Sequence, residues 1–187
     1  MIKRYSLKKL LIYILFVLFT SCMKTITLQN GRTKVPAKNN AYKNKMKSDN
    51  SLLKIVDINV VYEKFNKHYN VLQRLDTNVE TKVYGVYRFY PNGKFNKFFI
   101  DKRDVFNKND FNPRYNGYRG VYYWDKNQIR YDLFAESNEL GWIGKLTGTF
   151  TFSGDTLYVK RDVDKTHIDI YIKRKLPPSY LDHKADW

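Results

Sequence analysis

Residues 83–100 read "VYGVYRFYPNGKFNKFFI". Two segments rich in aromatic and β-branched residues flank Pro91-Asn92-Gly93. Such side chains fit a pleated, half-buried surface, and Asn-Gly between them is a strong short-range hairpin signal. The stretch therefore reads as two antiparallel strands joined by a tight turn.

Three further pieces keep the same period of two. "GYRGVYYW" (117–124), "DKN" and "QIRYDLF" (128–134) form a second hairpin, in which Ile129, Tyr131 and Leu133 share a face. "GWIGKLTGTFTF" (141–152), "SGD" and "TLYVKRD" (156–162) form a third, with Trp142, Leu146, Phe150 and Phe152 in phase. Gly144 and Gly148 within that arm suit a bend or a close approach of backbone to neighbouring bulk. The last strand, "HIDIYIKR" (167–174), alternates most cleanly, and its isoleucines 168, 170 and 172 are expected inward, with Asp169, Tyr171 and Lys173 outward. On that phase Ile170→Asp should unfold the domain, whereas a change at Lys173 should be tolerated.

Seven strands with short turns and no intervening helices make this an all-β chain. The expected fold is a single antiparallel meander of about seven or eight strands. A meander of that length must close or curl to protect its edges, so a barrel and a sandwich are both open. Residues 54–75 read two ways. A first strand near Ile55–Tyr62 follows from "KIVDINVVY", and a short helix near 58–74 from the spacing of Ile58, Val61, Tyr62, Phe65, Tyr69 and Leu72. The whole loosely resembles small lipocalin-like β proteins, and more closely the uncharacterised lipoproteins of Bacteroidota, in "YRFYPNGK", "GYRGVYYWDKNQIRY" and "GKLTGTFTFSGDTLYV". The lipocalin Gly-x-Trp strand is absent. That resemblance implies a fold and an address but no activity.

The address rests on the other end of the chain. "MIKRYSLKK" carries Lys3, Arg4, Lys8 and Lys9 and no acid, and an unbroken apolar run extends from Leu10 to Phe19. This is the architecture of a signal peptide, too short to span a bilayer. The only cysteine, Cys22, comes directly afterwards. Phe19-Thr20-Ser21-Cys22 resembles the lipobox of bacterial lipoprotein precursors, with Phe where that family more often has Leu. The resemblance implies cleavage before Cys22, a diacylglycerol on its thiol and an acyl chain such as palmitate on the new amine. Several chains anchor stably where one does not. Nothing acidic is found in the next residues, "MKTITLQN", which by the same resemblance favours an outer-membrane position facing the periplasm.

These readings divide the chain into a lipoprotein signal peptide (1–21), a lipidated cysteine and flexible basic linker (22–53), a β domain (54–176) and a C-terminal tail (177–187). The formal charge of +16 falls to +12 without residues 1–21. Lysine outnumbers arginine 24 to 10, a pattern that a codon bias produces without any acidic partner. No specific nucleic-acid binding is expected.

No catalytic constellation is legible, so no enzyme activity is expected. His68, His167 and His183 lack ligand spacing, and "DVDKTHID" (162–169) has His167 where a calcium loop needs glycine, so neither a metal nor a cofactor is expected. Aromatic residues remain. Tyr118, Tyr122 and Trp124 fall on one face of a strand, with Tyr131 and Trp142 on its neighbours. Most such rings pack as core, but Tyr118, Tyr122, Trp124 and Trp142 are the candidates for lining a site for a small apolar molecule or a glycan. The competing reading is a structural or interaction protein of the envelope that meets anionic polymer or a protein partner.

Overall fold

The computed structural model describes residues 24–37, 41–44, 48–65, 83–101, 106–136, 142–185 and 187. Cys22, and residues 66–75 of the segment read as either strand or helix, lie outside them. Among the described residues there are ten strands: β1 Thr25–Thr27, β2 Lys34–Pro36, β3 Val60–Lys64, β4 Val83–Phe89, β5 Lys94–Asp101, β6 Tyr118–Asp125, β7 Gln128–Glu136, β8 Ile143–Ser153, β9 Thr156–Arg161 and β10 Asp164–Lys175. Each strand from β3 to β10 pairs antiparallel with the next, and β10 closes on β3 to give an eight-stranded barrel. The meander is thus a closed barrel rather than a sandwich.

The turns fall where the turn residues of the sequence lie. Gly93 takes φ +70° after Pro91-Asn92, Gly154 takes +56°, and Lys126 and Asn127 both enter the left-handed region in the two-residue β6–β7 turn. All three turns, with the approach to β3, lie at one end of the barrel. The longer β3–β4 and β5–β6 connections lie at the other.

Aromatic rings fill the interior. Tyr62, Tyr87, Phe89, Phe95, Tyr122, Tyr131, Phe150 and Tyr171 are buried together with Leu157 and Val159. Phe89 alone meets Tyr62, Tyr122, Phe150 and Phe152 edge-on at 5.3–5.7 Å between ring centres. This geometry adds to the burial of each ring. Space for the rings comes from glycine. A Cβ on Gly148 would lie 2.1 Å from the Lys160 carbonyl oxygen and 2.6 Å from the Tyr131 hydroxyl. That is the close approach the sequence implied.

The turn end is closed. A 3-10 turn at Asn50–Lys54, capped by the Asp49 side chain, places Leu52 under the rings with Val56 beside it. Trp124 Nε1 donates to Ser51 Oγ at 2.8 Å and ties the plug to β6. The first barrel strand consequently begins at Val60 rather than near Ile55, and no helix forms over residues 58–65.

Two further expectations are corrected. On β10 the phase is reversed. Tyr171 is 1% exposed in the core, with its ring 4.8 Å from that of Tyr87, whereas Ile168 is 45% exposed outside. The described residues of the segment expected to be a flexible linker are also part of the fold. β1 and β2 pair, and Leu28, Val35 and Tyr42 are buried. Tyr42 packs edge-on against Phe134 at 5.0 Å, and Asn44 donates to Asp132 at 2.7 Å. The C-terminal tail docks on the same outer surface, where Trp187 joins Tyr42, Tyr90, Val121, Tyr123 and Phe134. A third cluster covers the outside of β3, β4 and β5, with Leu176, Tyr180 and Leu181 over Val61, Val86, Phe98 and Phe111. The outer face is therefore apolar over much of its area, and this is why alternation alone did not reveal which face of β10 points inward.

Candidate functional site

The end opposite the plug is where side chains with unused chemistry collect. Phe95, Lys97 and Phe99 alternate inward along β5, so a lysine comes two residues after a core phenylalanine. Its ammonium lies 5.5 Å from the Tyr87 ring centre and 5.3 Å from that of Phe99. Gly85 on β4 makes this possible, because a Cβ there would stand 3.3 Å from Lys97 Cε. On β10 the inward phase brings Asp169 and Tyr171 to the same end. Asp169 accepts from Lys64 at 3.0 Å and sits 3.2 Å from His167.

Electrostatics reflect this depth. Burial pushes the Lys97 amine down to about 8, against the pull of Asp169 and with Lys64 and Arg161 adding to the fall. Burial works to raise the Asp169 carboxyl, but the hydrogen bond and charge of Lys64, then His167 and Lys97, outweigh it and hold it below the usual range. Tyr87 and Tyr171 are both raised, chiefly by burial, and their hydroxyls are hydrogen-bonded to one another. Near neutral pH Lys97 is thus a cation set just inside an aromatic barrel.

Above it lies a cavity of about 380 Å³, lined by Lys97, Phe99, Tyr118, Leu133, Leu146 and Glu136. It is within the range of small-molecule sites, and it combines apolar walls with one deep-set charge. A wider groove of about 600 Å³ runs outside the barrel, between the β1–β2 turn and the β5–β6 connection, and shares Phe99 and Tyr118 with the mouth. Its polar groups serve their own loops. The Asn30 side chain bonds Arg32 and Thr33, and that of Asn116 bonds the Asp110 carbonyl.

The four aromatic candidates do not form one site. Tyr118, Tyr122 and Trp124 do share the inner face of β6, but six residues of strand separate the first from the last, roughly 20 Å. Only Tyr118 lines the mouth, edge-on to Phe99 at 5.7 Å. Tyr122 is core, its hydroxyl donating to the Tyr90 carbonyl at 2.7 Å. Trp124 belongs to the plug. Trp142, 65% exposed, stands outside the cavity, immediately before β8. Lys97 was missed, although its place in phase between Phe95 and Phe99 was a readable signal.

Among the described residues no cluster of three or more His, Cys, Asp or Glu side chains could hold a metal ion, and no helix is long and apolar enough to cross a membrane. No protein family, curated protein or solved structure matches this chain.

Proposed function

We propose that this protein is a lipid-anchored lipoprotein of the cell envelope, in the outer membrane facing the periplasm, whose barrel binds a small apolar-bodied molecule at the end opposite the plug. The observation that carries the binding reading is the cavity over Lys97. The interior beneath is filled by rings, so a ligand rests in the mouth instead of threading the barrel. The apolar class is favoured over a glycan because the polar groove outside spends its side-chain amides on its own loops. The leader and Cys22 support the anchor. Cys22 stands two residues before Lys24, a reach of at most about 7 Å. Since β1 pairs with β2, and β2 packs on β6, β7 and β8, a lipid on Cys22 would hold the barrel close against the bilayer.

Native mass spectrometry of protein extracted from its own membrane tests both parts. The expected result is an acylated N-terminal Cys22 and a retained small molecule, with the latter lost in Leu146→Trp, which fills the mouth. An intact Met1 terminus would contradict the anchor, and a molecule retained by Leu146→Trp would place binding elsewhere. The competing reading, an interaction protein, draws on Phe65, Trp142, Val163 and Ile168, all exposed and all at the mouth end. It is favoured if the protein carries a partner and no small molecule.

A further inference from the structure

We infer, resting on the mouth-binding reading above, that the ligand is a monoanionic amphiphile: a small carboxylate whose head pairs with the Lys97 ammonium while its short apolar body lies against Leu133, Leu146, Phe99 and Tyr118. Lys97 points against the habit of its residue type. A lysine on a barrel strand normally stretches its stem along apolar surface and keeps its charge in water. Here the stem runs inward and the ammonium lies over two rings. Cation–π contact returns only part of what desolvating a charge costs. A part-buried charge over two rings gains from a counter-ion.

The chain's own acids leave that role open. Asp169 is the nearest carboxylate in the inward phase, and it is already engaged by Lys64 and His167. Among the described residues no carboxylate comes within ion-pair distance of the Lys97 ammonium, although Asp169 acts on it through space. The groups facing it come from every neighbouring strand: Lys64 on β3, Tyr87 on β4, Tyr118 on β6, Tyr131 and Glu136 on β7, Arg161 on β9, and Asp169 and Tyr171 on β10. Glu136 is exposed at the rim, where it acts on the Tyr118 hydroxyl. Among the described residues Lys64, Lys97 and Arg161 thus face Asp169 and Glu136, an excess of a single positive charge. One negative charge balances it.

Size and shape set the rest. A volume of about 380 Å³ holds roughly a dozen water-sized groups at about 30 Å³ each. A single-chain acid of about that many heavy atoms fits, and a two-chain lipid does not. Because Lys97 lies below Phe99 on the same face of β5, the head enters first and the body faces the rim. The tyrosine hydroxyls of Tyr87 and Tyr171 are close to the lysine and already bonded to each other, so the head meets a preformed polar floor.

Isothermal titration of the folded barrel with octanoate and with 1-octanol separates the head from the body. Octanoate should bind at least tenfold more tightly than 1-octanol near neutral pH, and Lys97→Met should bring the two to equal affinity. Lys97→Arg, which keeps the charge, should retain the preference. As pH rises through about 8 the lysine loses its proton, so octanoate affinity should fall while that of 1-octanol stays constant. Should Lys97→Met fail to fold, the wild-type contrast and its pH profile still decide. Equal binding of both probes by the wild type would overturn the anionic head and leave the mouth reading standing. Binding of neither would overturn both.

Discussion

Replacing Tyr171 by alanine should lower the unfolding free energy by about 3–5 kcal/mol, the usual cost of emptying a large aromatic site. Ile170→Asp, one residue away, should cost only about 1 kcal/mol, in the range of changes on a half-exposed surface. Tyr171 is enclosed by the core, edge-on to Tyr87 and bonded to its hydroxyl, so truncation leaves a cavity and an unpaired phenol. Ile170 lies on the outer face opposite Tyr158, only half-buried, and a carboxylate there can reach water. Urea midpoints of the two variants measure the contrast. A folded Tyr171→Ala beside an unfolded Ile170→Asp would restore the opposite phase and refute the barrel interior described above.

That contrast also marks the limit of what alternation reveals. Hairpins were legible because their turns need special residues: Gly93, Gly154 and Asn127 occupy left-handed backbone, which glycine and asparagine tolerate best. Strand phase was legible on β6, where Tyr118, Tyr122 and Trp124 do share a face. Direction was not legible on β10. Alternation identifies two faces, and choosing between them assumes that water covers one. Here the outer face of β10 carries Ile168, Ile170 and Ile172, partly in water, while Asp169 and Lys173 point inward near the barrel ends, and elsewhere the outside is itself a packed layer. The segment expected to be a linker packs for a related reason. Its few apolar residues, Leu28, Val35 and Tyr42, are far apart in sequence and acquire partners only once the barrel exists. Lys97 was passed over because lysine ordinarily marks a solvent-facing position.

Alkaline pH should unfold the barrel in a single step. Tyr42, Tyr62, Tyr87, Tyr122, Tyr131 and Tyr171 are nearly or fully buried. Burial raises the hydroxyl of each above its ordinary value, that of Tyr62 to about 12. A folded value above the unfolded one means that stability is complete below about pH 10 and is lost as pH climbs beyond it. Each such tyrosine removes about 1.4 kcal/mol per pH unit in that window. The six together would remove about 8 kcal/mol by about pH 11, as much as a typical domain possesses. Lys97 acts with the opposite sign. Its depressed value means that the folded state holds fewer protons between about 8 and 10.5, so it raises stability there and offsets part of what the tyrosines remove. Tyrosinate absorbance should therefore appear together with loss of the β-type circular dichroism signal. Ionisation near pH 10 of more tyrosines than the exposed ones such as Tyr115 and Tyr158, in a protein that keeps its dichroism, would show that the rings are not enclosed.

If the end of the barrel opposite the plug is a binding mouth centred on Lys97, ligand must be felt there and nowhere else. Nuclear magnetic resonance of the methyl groups and the Lys97 side chain, recorded during addition of octanoate, reads this out residue by residue. Saturable shifts are expected at Lys97, Leu133, Ala135 and Leu146, which line the mouth, and none at Leu52 or Val56 in the plug. Saturable shifts centred on the plug or on the outer face around Val35, or no shifts at all, would refute the mouth as the binding site.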